Sequence, residues 1–403
     1  MGRGSFGKRT ILRGALAWGL CTVALAFPIS VQAACGGDFA GFRAALQAEA
    51  IDRGARPDVA AAFFDGVRQD PAVLRADRRQ GVFQLPFLEF SQRLISRNRI
   101  DAARRNAERY DAIFDRIEAE YGIPRGVLLA FWAFETDFGA VQGDFNTVNA
   151  LVTLAHDCRR PELFRPQVFA ALELFSSGDL DPDRTTGAWA GEIGMVQMLP
   201  SDILAHGVDG DGDGQVSLKS SVADALLSGA DMLSGFGWTA GAPWLHEVVV
   251  PDGFDWALSG LEGGRSVADW AALGVVSRQG ALPGTSLTAR LLVPQGRGGP
   301  AFLAYPNFDV YFEWNQSFVY VMTAAYFATR LEGAPVYRAG NPERGLSGAQ
   351  IEDLQRRLSD LGHDVGGIDG ILGAKTRAAV RAEQQRLGLP ADAWPTPDLL
   401  GRL

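Results

Sequence analysis

The alternation of apolar and polar positions along the chain predicts a mainly α-helical protein. Apolar residues recur at helical spacing from residue 38 to 120 and again from 145 to 235. Residues 236–313 carry more glycine, proline and β-branched residues, including the run 247–250, and predict a few short strands. Residues 314–331 return to a helical pattern rich in aromatic residues and alanine.

One predicted helix, from residue 125 to 137, is apolar on nearly all sides and should therefore be buried. Pro124 suits the start of this helix, and Gly139 is placed to end it in the left-handed conformation. An acid, Glu135, follows directly on the apolar run.

Phe131 and Trp132 precede Glu135 by four and three residues, so all three share one face of the helix. Apolar surroundings desolvate a carboxylate and raise its pKa, which produces a general acid near neutral pH. The alternative is a structural Glu135 that pairs with an arginine or caps a loop.

A second segment, residues 189–200, places Gln197 among glycines that permit close backbone approach to a ligand. The amide of Gln197 offers both donors and acceptors to sugar hydroxyls. The alternative is a tight turn between helices with Gln197 on the surface.

An acidic glycine loop provides a candidate metal site. Asp209, Asp211 and Asp213 occupy positions 1, 3 and 5 of an EF-hand-type loop, and Gln215 can offer its carbonyl at position 7. Such oxygen ligands suit calcium, although position 12 is Ser220 rather than Glu. The alternative is a solvated acidic turn.

The first 34 residues are predicted to be a signal peptide. They contain basic residues followed by the apolar run 14–27, and residues 31–33 match a cleavage site. We therefore expect export to the periplasm; the alternative is an uncut N-terminal anchor.

Cys35 and Cys158 are the two cysteines that follow the signal segment, and we expect a disulfide between them in an oxidising compartment. A lipid anchor on Cys35 would exclude that bond. It is the less favoured alternative, because Gln32 stands where such sites usually have an aliphatic residue.

Length and charge narrow the class of protein. The 403 residues predict two or three domains, and the net charge of -9 argues against a nucleic-acid partner. Residues 333–345 are rich in glycine and proline and predict a linker. After it, Ser347 and Gln350 form a capping box that starts a small separate module, residues 346–403.

Three motifs together resemble one known family. Residues 135–139 resemble the E-T-x-x-G motif of lytic murein transglycosylases, and residues 191–201 resemble their second, glycine-rich motif. Asn307-Phe308, followed by residues 314–317, resembles the third. In the order and spacing of these motifs and in its acidic loop, the chain resembles the membrane-bound lytic transglycosylase B family (glycoside hydrolase family 103) over residues 38–332.

The resemblance implies a lysozyme-like helical domain at residues 35–332 that cleaves the bond between N-acetylmuramic acid and N-acetylglucosamine without water. Glu135 would be the acid and then the base, giving a 1,6-anhydro product. Gln197 and Asn315 would bind substrate polar groups, and Trp189 and Trp314 would supply apolar faces for the sugar rings.

The resemblance also suggests a later acid that closes the calcium site, for which Asp224 is the candidate. Two positions depart from the family pattern: Ala188 stands where serine is common, and Trp314 where tyrosine is usual. The loss of these hydroxyl groups puts rate and specificity in doubt more than the reaction class.

Residues 346–403 resemble the peptidoglycan-binding domain type 1, through runs such as 354–358 and 376–380. That resemblance implies a three-helix module that tethers the enzyme to its insoluble substrate. The alternative is a structural cap on the main domain.

Two other functions stay open: a hydrolytic muramidase with the same acid, and a non-catalytic wall-binding scaffold. We expect peptidoglycan glycan strands as the partner, a monomer, structural calcium and no organic cofactor.

Overall fold

The computed structural model describes residues 35–78 and 85–403, and the predicted signal segment 1–34 lies outside these ranges. Within them the chain is mainly helical with a few short strands, as the sequence pattern predicts. No helix in this part of the chain combines the length and the apolar character needed to span a bilayer.

Helices form the first half of the described chain, and each helix buries apolar residues in a common core. Their bounds are α1 Phe39–Asp52, α2 Pro57–Phe64, α3 Pro71–Asp77, α4 Phe87–Leu94, α5 Arg97–Arg109, α6 Asp111–Tyr121, α7 Arg125–Thr136, α8 Thr147–His156, α9 Pro161–Ser177, α10 Pro200–His206 and α11 Val222–Gly235.

A five-stranded antiparallel sheet follows α11, with the predicted strand at residues 247–250 realised as β3. The strand order is β4-β6-β7-β3-β5, and a separate small hairpin pairs β1 with β2. The sheet buries its own core around Trp270 and Tyr305. Bounds are β1 Phe145–Asn146, β2 Thr186–Gly187, β3 Leu245–Val249, β4 Arg265–Ser266, β5 Val276–Ser277, β6 Thr288–Leu292 and β7 Ala301–Ala304, with helix α12 at Val267–Ala272.

The chain then returns to the helical core. The helix predicted at residues 314–331 is in fact interrupted, because α13 ends at Trp314 and α14 begins at Phe318. Ser317 caps α14, which leaves Asn315 in an extended conformation between the helices. This break lets Trp314, at the end of α13, and Tyr320, in α14, both reach Glu135. Bounds are α13 Pro306–Trp314 and α14 Phe318–Leu331.

Helix α7 is buried as its all-round apolar pattern predicts, and it packs against α14, α5, α6 and α11. Its left-handed end is Asp137 (φ 52°) rather than Gly139, which lies two residues later. Phe138 turns back edge-on to Trp132, with ring centroids 5.5 Å apart, directly after the end of the helix.

The predicted disulfide between Cys35 and Cys158 is present, with Cα atoms 5.2 Å apart. It fastens the start of the described chain to the end of α8, where Gly36 also donates its N–H to the carbonyl of His156 at 2.8 Å. The bonded sulfur of Cys35 is therefore not free to carry a lipid.

Three helices form the C-terminal module, as predicted. They are α15 Gly348–Asp360, α16 Ala374–Arg386 and α17 Pro397–Arg402. Gln350 accepts from the Ser347 N–H at 3.0 Å, which confirms the predicted capping box. The preceding residues 333–345 form no helix or strand, but Tyr337 is buried against Tyr326 of the main core.

Candidate active site

A cleft of about 550 Å³ opens beside the C-terminal end of α7. One wall is the glycine-rich loop that precedes α10, and the other is the junction between α13 and α14. The three sequence motifs therefore meet at one place. Five residues singled out from the sequence line it: Glu135, Trp189, Gln197, Trp314 and Asn315.

Glu135 accepts two hydrogen bonds on one carboxyl oxygen. The indole Nε1–H of Trp314 donates to Oε1 at 3.0 Å, and the hydroxyl group of Tyr320 donates to the same atom. Sequence reasoning missed Tyr320. The one feature of the sequence that could have pointed to it is its position, because Tyr320 lies six residues after Trp314, just beyond the third motif and in the first turn of a helix.

The electrostatics of the cleft favour a protonated Glu135. Burial raises the pKa of its carboxyl to about 7, and the nearby acid Glu192 adds to the rise. The hydrogen bonds from Tyr320 and Trp314 act in the opposite direction, because they stabilise the ionised form. Burial also raises the pKa of Tyr320, so its phenol keeps the proton that it donates.

Gln197 is held in a strained loop. Its φ of 55° is unusual for a residue other than glycine, and such strain is concentrated at functional sites. Its Nε2 donates to the carbonyls of Gly194, at 2.7 Å, and Gln142, at 3.3 Å. Within the described chain its Oε1 has no partner, so this acceptor remains for a ligand.

Two glycines allow that loop to adopt left-handed backbone angles and to pack closely against its neighbours. Gly191 and Gly194 have φ values of 93° and 83°, and a Cβ at either would come within 2.4 Å of Leu151 or Leu218. Thr136, which follows Glu135, then joins the loop to α7 because its hydroxyl donates to the Met195 carbonyl at 2.6 Å. The first and second motifs are thus one connected unit.

Trp314 contributes a hydrogen bond as well as an apolar face. Its ring stacks on Phe131 of α7 with centroids 4.2 Å apart, while its N–H reaches Glu135. The indole thus supplies a donor at the position where tyrosine is usual in the family. Asn315 accepts from the Ser317 N–H at 2.9 Å, and the half-buried Trp189 lies on the opposite wall.

Ala188 and Glu192 also line the cleft. Ala188 offers no hydroxyl to Glu135. Burial raises the pKa of Glu192, and its Oε2 is shielded from solvent without a partner in the described ranges. Sequence reasoning passed over Glu192, because it occupies an unspecified position between the motif glycines.

The acidic loop brings three carboxylates together outside the cleft. Oxygens of Asp209, Asp211 and Asp213 lie within 4.8 Å of one another, which suits a cation with oxygen ligands. Gln215 follows in the loop, and its N–H donates to the Asp213 carboxylate at 2.9 Å.

The structure does not bring Asp224 into this group. Its buried carboxylate lies behind the loop and accepts from the N–H groups of Gly210 at 2.9 Å and Ser217 at 2.7 Å. Each of its oxygens thus accepts from the backbone, and the carboxylate of Asp224 braces the loop.

Comparison with known proteins gives a consistent picture. The family described as "Transglycosylase SLT domain" matches residues 38–329, and a peptidoglycan binding domain family matches residues 347–403. The curated Escherichia coli protein "Membrane-bound lytic murein transglycosylase B" is 29% identical over 53% of this chain. That match spans 58% of the length of the E. coli protein.

Solved structures extend the similarity. SltB3 from Pseudomonas aeruginosa, solved in complex with NAG-anhNAM-pentapeptide, is 36% identical, with a TM-score of 0.84 over 91% of this chain and 99% of its own. Escherichia coli SLT35, solved in complex with calcium, is 22% identical (TM-score 0.63, 74% of this chain and 96% of its own) and shows the shared fold alone. The chain therefore belongs to the membrane-bound lytic murein transglycosylase B family and carries a peptidoglycan-binding domain after its transglycosylase domain.

Proposed function

We propose that this protein cleaves the β-1,4 bond between N-acetylmuramic acid and N-acetylglucosamine in peptidoglycan, with Glu135 as general acid and then base. The observation that carries the proposal is a half-buried carboxyl group at the end of α7, with a raised pKa, that lines a cleft of about 550 Å³. A general acid needs a pKa near the working pH and access to the leaving oxygen.

The two hydrogen bonds to Glu135 determine which oxygen carries the proton. A carboxyl oxygen has two lone-pair positions, and on Oε1 both accept, from Trp314 and Tyr320. The acidic proton therefore resides on Oε2. Because Tyr320 and Trp314 fix the plane of the carboxyl group, Oε2 is held in one direction for transfer.

The reaction needs no second acid. Oε2 of Glu135 gives its proton to the leaving oxygen of N-acetylglucosamine as the bond from that oxygen to C1 of the muramic residue breaks. The C6 hydroxyl oxygen of the same residue then bonds to C1, and its proton returns to Oε2. The product is a 1,6-anhydro sugar, and no water is consumed. Ordinary glycosidases use two carboxyl groups, because the second must either activate water or attack C1 as the nucleophile.

The other cleft residues take the roles of substrate contacts. The free Oε1 of Gln197 accepts from a sugar hydroxyl or acetamido N–H, and the amide of Asn315 contacts the sugar from the opposite wall. Trp189 and Trp314 bound the sugar rings with apolar surface. The peptidoglycan fragment in the SltB3 structure supports this class of ligand, and the C-terminal module would retain the enzyme on the cell wall.

Calcium is proposed as a structural ion. Asp209, Asp211 and Asp213 would hold it, and the Gln215 carbonyl would add a ligand. The ion would neutralise three carboxylates that otherwise repel one another and would stabilise the loop that follows α10. It would take no part in the chemistry of the cleft.

A periplasmic location is proposed on two grounds. The sequence of residues 1–34 has the pattern of a signal peptide, and the disulfide between Cys35 and Cys158 suits an oxidising compartment.

The second candidate function is a hydrolytic muramidase. One observation favours it: Glu192 supplies another carboxyl group in the same cleft, which is what activation of water requires. Burial raises the pKa of Glu192, however, and a neutral carboxyl group is a poor base.

Mass spectrometry of digested cell-wall sacs tests both functions. Muropeptides ending in 1,6-anhydromuramic acid support the transglycosylase, whereas reducing ends support the hydrolase. The control is Glu135→Gln, which should release no muropeptides yet still sediment with the sacs. Equal release by wild type and by this variant would leave only the wall-binding scaffold.

A further inference from the structure

The C-terminal module is fixed to the main domain by contacts with its backbone. Arg377 of α16 donates from Nη2 to the Pro294 carbonyl at 2.7 Å, and Arg381 donates to the Ser259 carbonyl. From the other side, the N–H of Arg297 donates to Asp392 at 3.0 Å. Contacts spread over several segments hold the module in one orientation, unlike a tether on a mobile linker.

Arg377, which is half-buried, is the centre of this contact. Its guanidinium carbon lies 4.4 Å from the ring centroid of Phe318 and 5.7 Å from that of Trp394. Burial lowers the pKa of Arg377, and its Nε has no hydrogen-bond partner in the described ranges. A cation over an aromatic face is attracted to the electron-rich ring, so Arg377 holds Phe318 in place.

Phe318 belongs to the main domain and opens the helix that supports the catalytic acid. It is the first residue of α14, and Tyr320, two residues later, donates to Glu135. Residues two apart on a helix point to different sides, so Phe318 contacts the module while Tyr320 contacts the cleft. Their shared backbone connects the two contacts, and fixing the start of α14 fixes the Tyr320 hydroxyl.

We propose that Arg377 is a positioning residue for catalysis: by holding Phe318, the C-terminal module keeps Tyr320 on the Glu135 carboxyl group. This inference rests on the proposed function and gives the module a role in turnover that is separate from wall binding. The module is then part of the catalytic architecture even for a soluble substrate.

The test uses the full chain with Arg377→Met, which keeps the length of the side chain and removes its charge. On a soluble glycan fragment that needs no wall attachment, kcat should fall about tenfold with little change in KM, because misplacement of a catalytic contact costs turnover. The matched control is Arg356→Met, in the same module, where the exposed arginine pairs with Glu352 at 3.1 Å. It should leave kcat unchanged.

A second measurement is independent of turnover. The pKa of Glu135, followed by carboxyl 13C NMR, should rise above about 7 in Arg377→Met because the Tyr320 hydrogen bond that lowers it is weakened. If Arg377→Met does not fold, Phe318→Leu, which removes the aromatic face from the other side of the contact, should give the same rise.

The double variant Arg377→Met/Tyr320→Phe should be no worse than Tyr320→Phe alone, since both changes remove one contact. Additive losses in kcat, or an unchanged pKa of Glu135 in folded Arg377→Met, overturn the inference. A wild-type protein that cuts no glycan, but whose Glu135 pKa responds to Arg377→Met, refutes the proposed function and leaves the positioning role intact.

Discussion

The hydroxyl group of Tyr320 donates to Oε1 of Glu135, the atom that also accepts from the Trp314 indole. Both donors lower the pKa of Glu135, whereas burial in the cleft raises it to about 7. The pKa of Glu135 is thus set by a balance between desolvation, which raises it, and two hydrogen bonds, which lower it. Removing either donor should therefore raise the pKa of Glu135 and shift the pH dependence of the reaction to higher pH.

Tyr320→Phe should shift the alkaline limb of the pH–kcat profile upward. Loss of a hydrogen bond to the ionised form raises the pKa of Glu135, so the acid stays protonated to higher pH. A bond to a charged group is worth about 1.5–3 kcal/mol, which corresponds to a shift of about one to two pH units. We also expect a lower maximal kcat, because the carboxyl plane is less firmly held.

The control for this change is Tyr311→Phe. Tyr311 is buried in the same core, but its hydroxyl group has no hydrogen-bond partner in the described ranges. Its removal should leave the pH profile where it is. A profile that moves equally in both variants would mean that core packing, rather than the Tyr320 hydroxyl, sets the pKa.

Trp314→Phe should lower the maximal kcat, because it keeps the stacking on Phe131 but removes the indole donor that helps to hold the plane of the Glu135 carboxyl group. Trp314→Tyr restores a donor of the type usual in the family and should recover part of the loss. The measurement is kcat on one glycan substrate for the three proteins. Equal kcat values for Trp314→Phe and wild type would show that the indole N–H has no role in turnover.

The raised pKa of Glu135 also predicts how stability depends on pH. Its ordinary pKa is 4.5 and its pKa in the folded protein is about 7, so between these pH values only the folded state keeps the proton. The contribution to stability is complete below pH 4.5 and is lost as pH rises through 7. The full loss is at most about 3 kcal/mol.

Glu135→Gln removes this group from the titration. At pH 8 its melting temperature should exceed that of wild type by a few degrees, and at pH 4 the difference should vanish. Thermal unfolding at both pH values measures this. A difference of the same size at both would trace the effect to packing of the amide.

The sequence predicted the helix that carries the acid because its signal was local. An unbroken apolar run before Glu135 indicates a buried helix whatever surrounds it, and α7 is that helix. The capping box at Ser347 is equally local, since the motif forms its own hydrogen bonds. Such features depend on nearest neighbours in the chain.

The contacts of Glu135 were not predictable in this way. Tyr320 lies 185 residues further along the chain, and its side chain reaches Glu135 only because α13 ends at Trp314 and α14 starts again at Phe318. The run 314–331 shows helical periodicity throughout, so periodicity alone does not locate that break. The contacts of Asp224, which the family resemblance suggests as a calcium ligand, were equally hidden, since its carboxylate accepts from the backbone N–H groups of Gly210 and Ser217.

Calcium should stabilise the protein through the acidic loop. Chelation should lower the melting temperature of wild type, because the three clustered carboxylates then repel one another. Asp211→Asn should lower the stability gained on adding calcium.

Asp224→Ala should destabilise the protein with or without calcium, since it deprives the N–H groups of Gly210 and Ser217 of their acceptor. No response of wild type to chelator would argue for a loop without an ion.

Removal of the C-terminal module should separate wall binding from folding. Deleting residues 346–403 should weaken sedimentation with cell-wall sacs, because it removes the peptidoglycan-binding domain. Deleting 333–403 should weaken it equally but also lower the melting temperature further. The segment lost in addition contains Tyr337, whose hydroxyl group lies 2.8 Å from the Ser91 hydroxyl and whose N–H donates to Tyr326 at 3.1 Å.

The two deletions also distinguish the roles of the module. If it acts only as a tether, both truncated chains should cut a soluble glycan as fast as wild type does. Because Arg377 and Phe318 connect the module to α14, we expect kcat on that soluble substrate to fall in both deletions. Sedimentation equal to that of wild type would count against the tether. An unchanged kcat together with lost sedimentation would leave the module with wall binding alone.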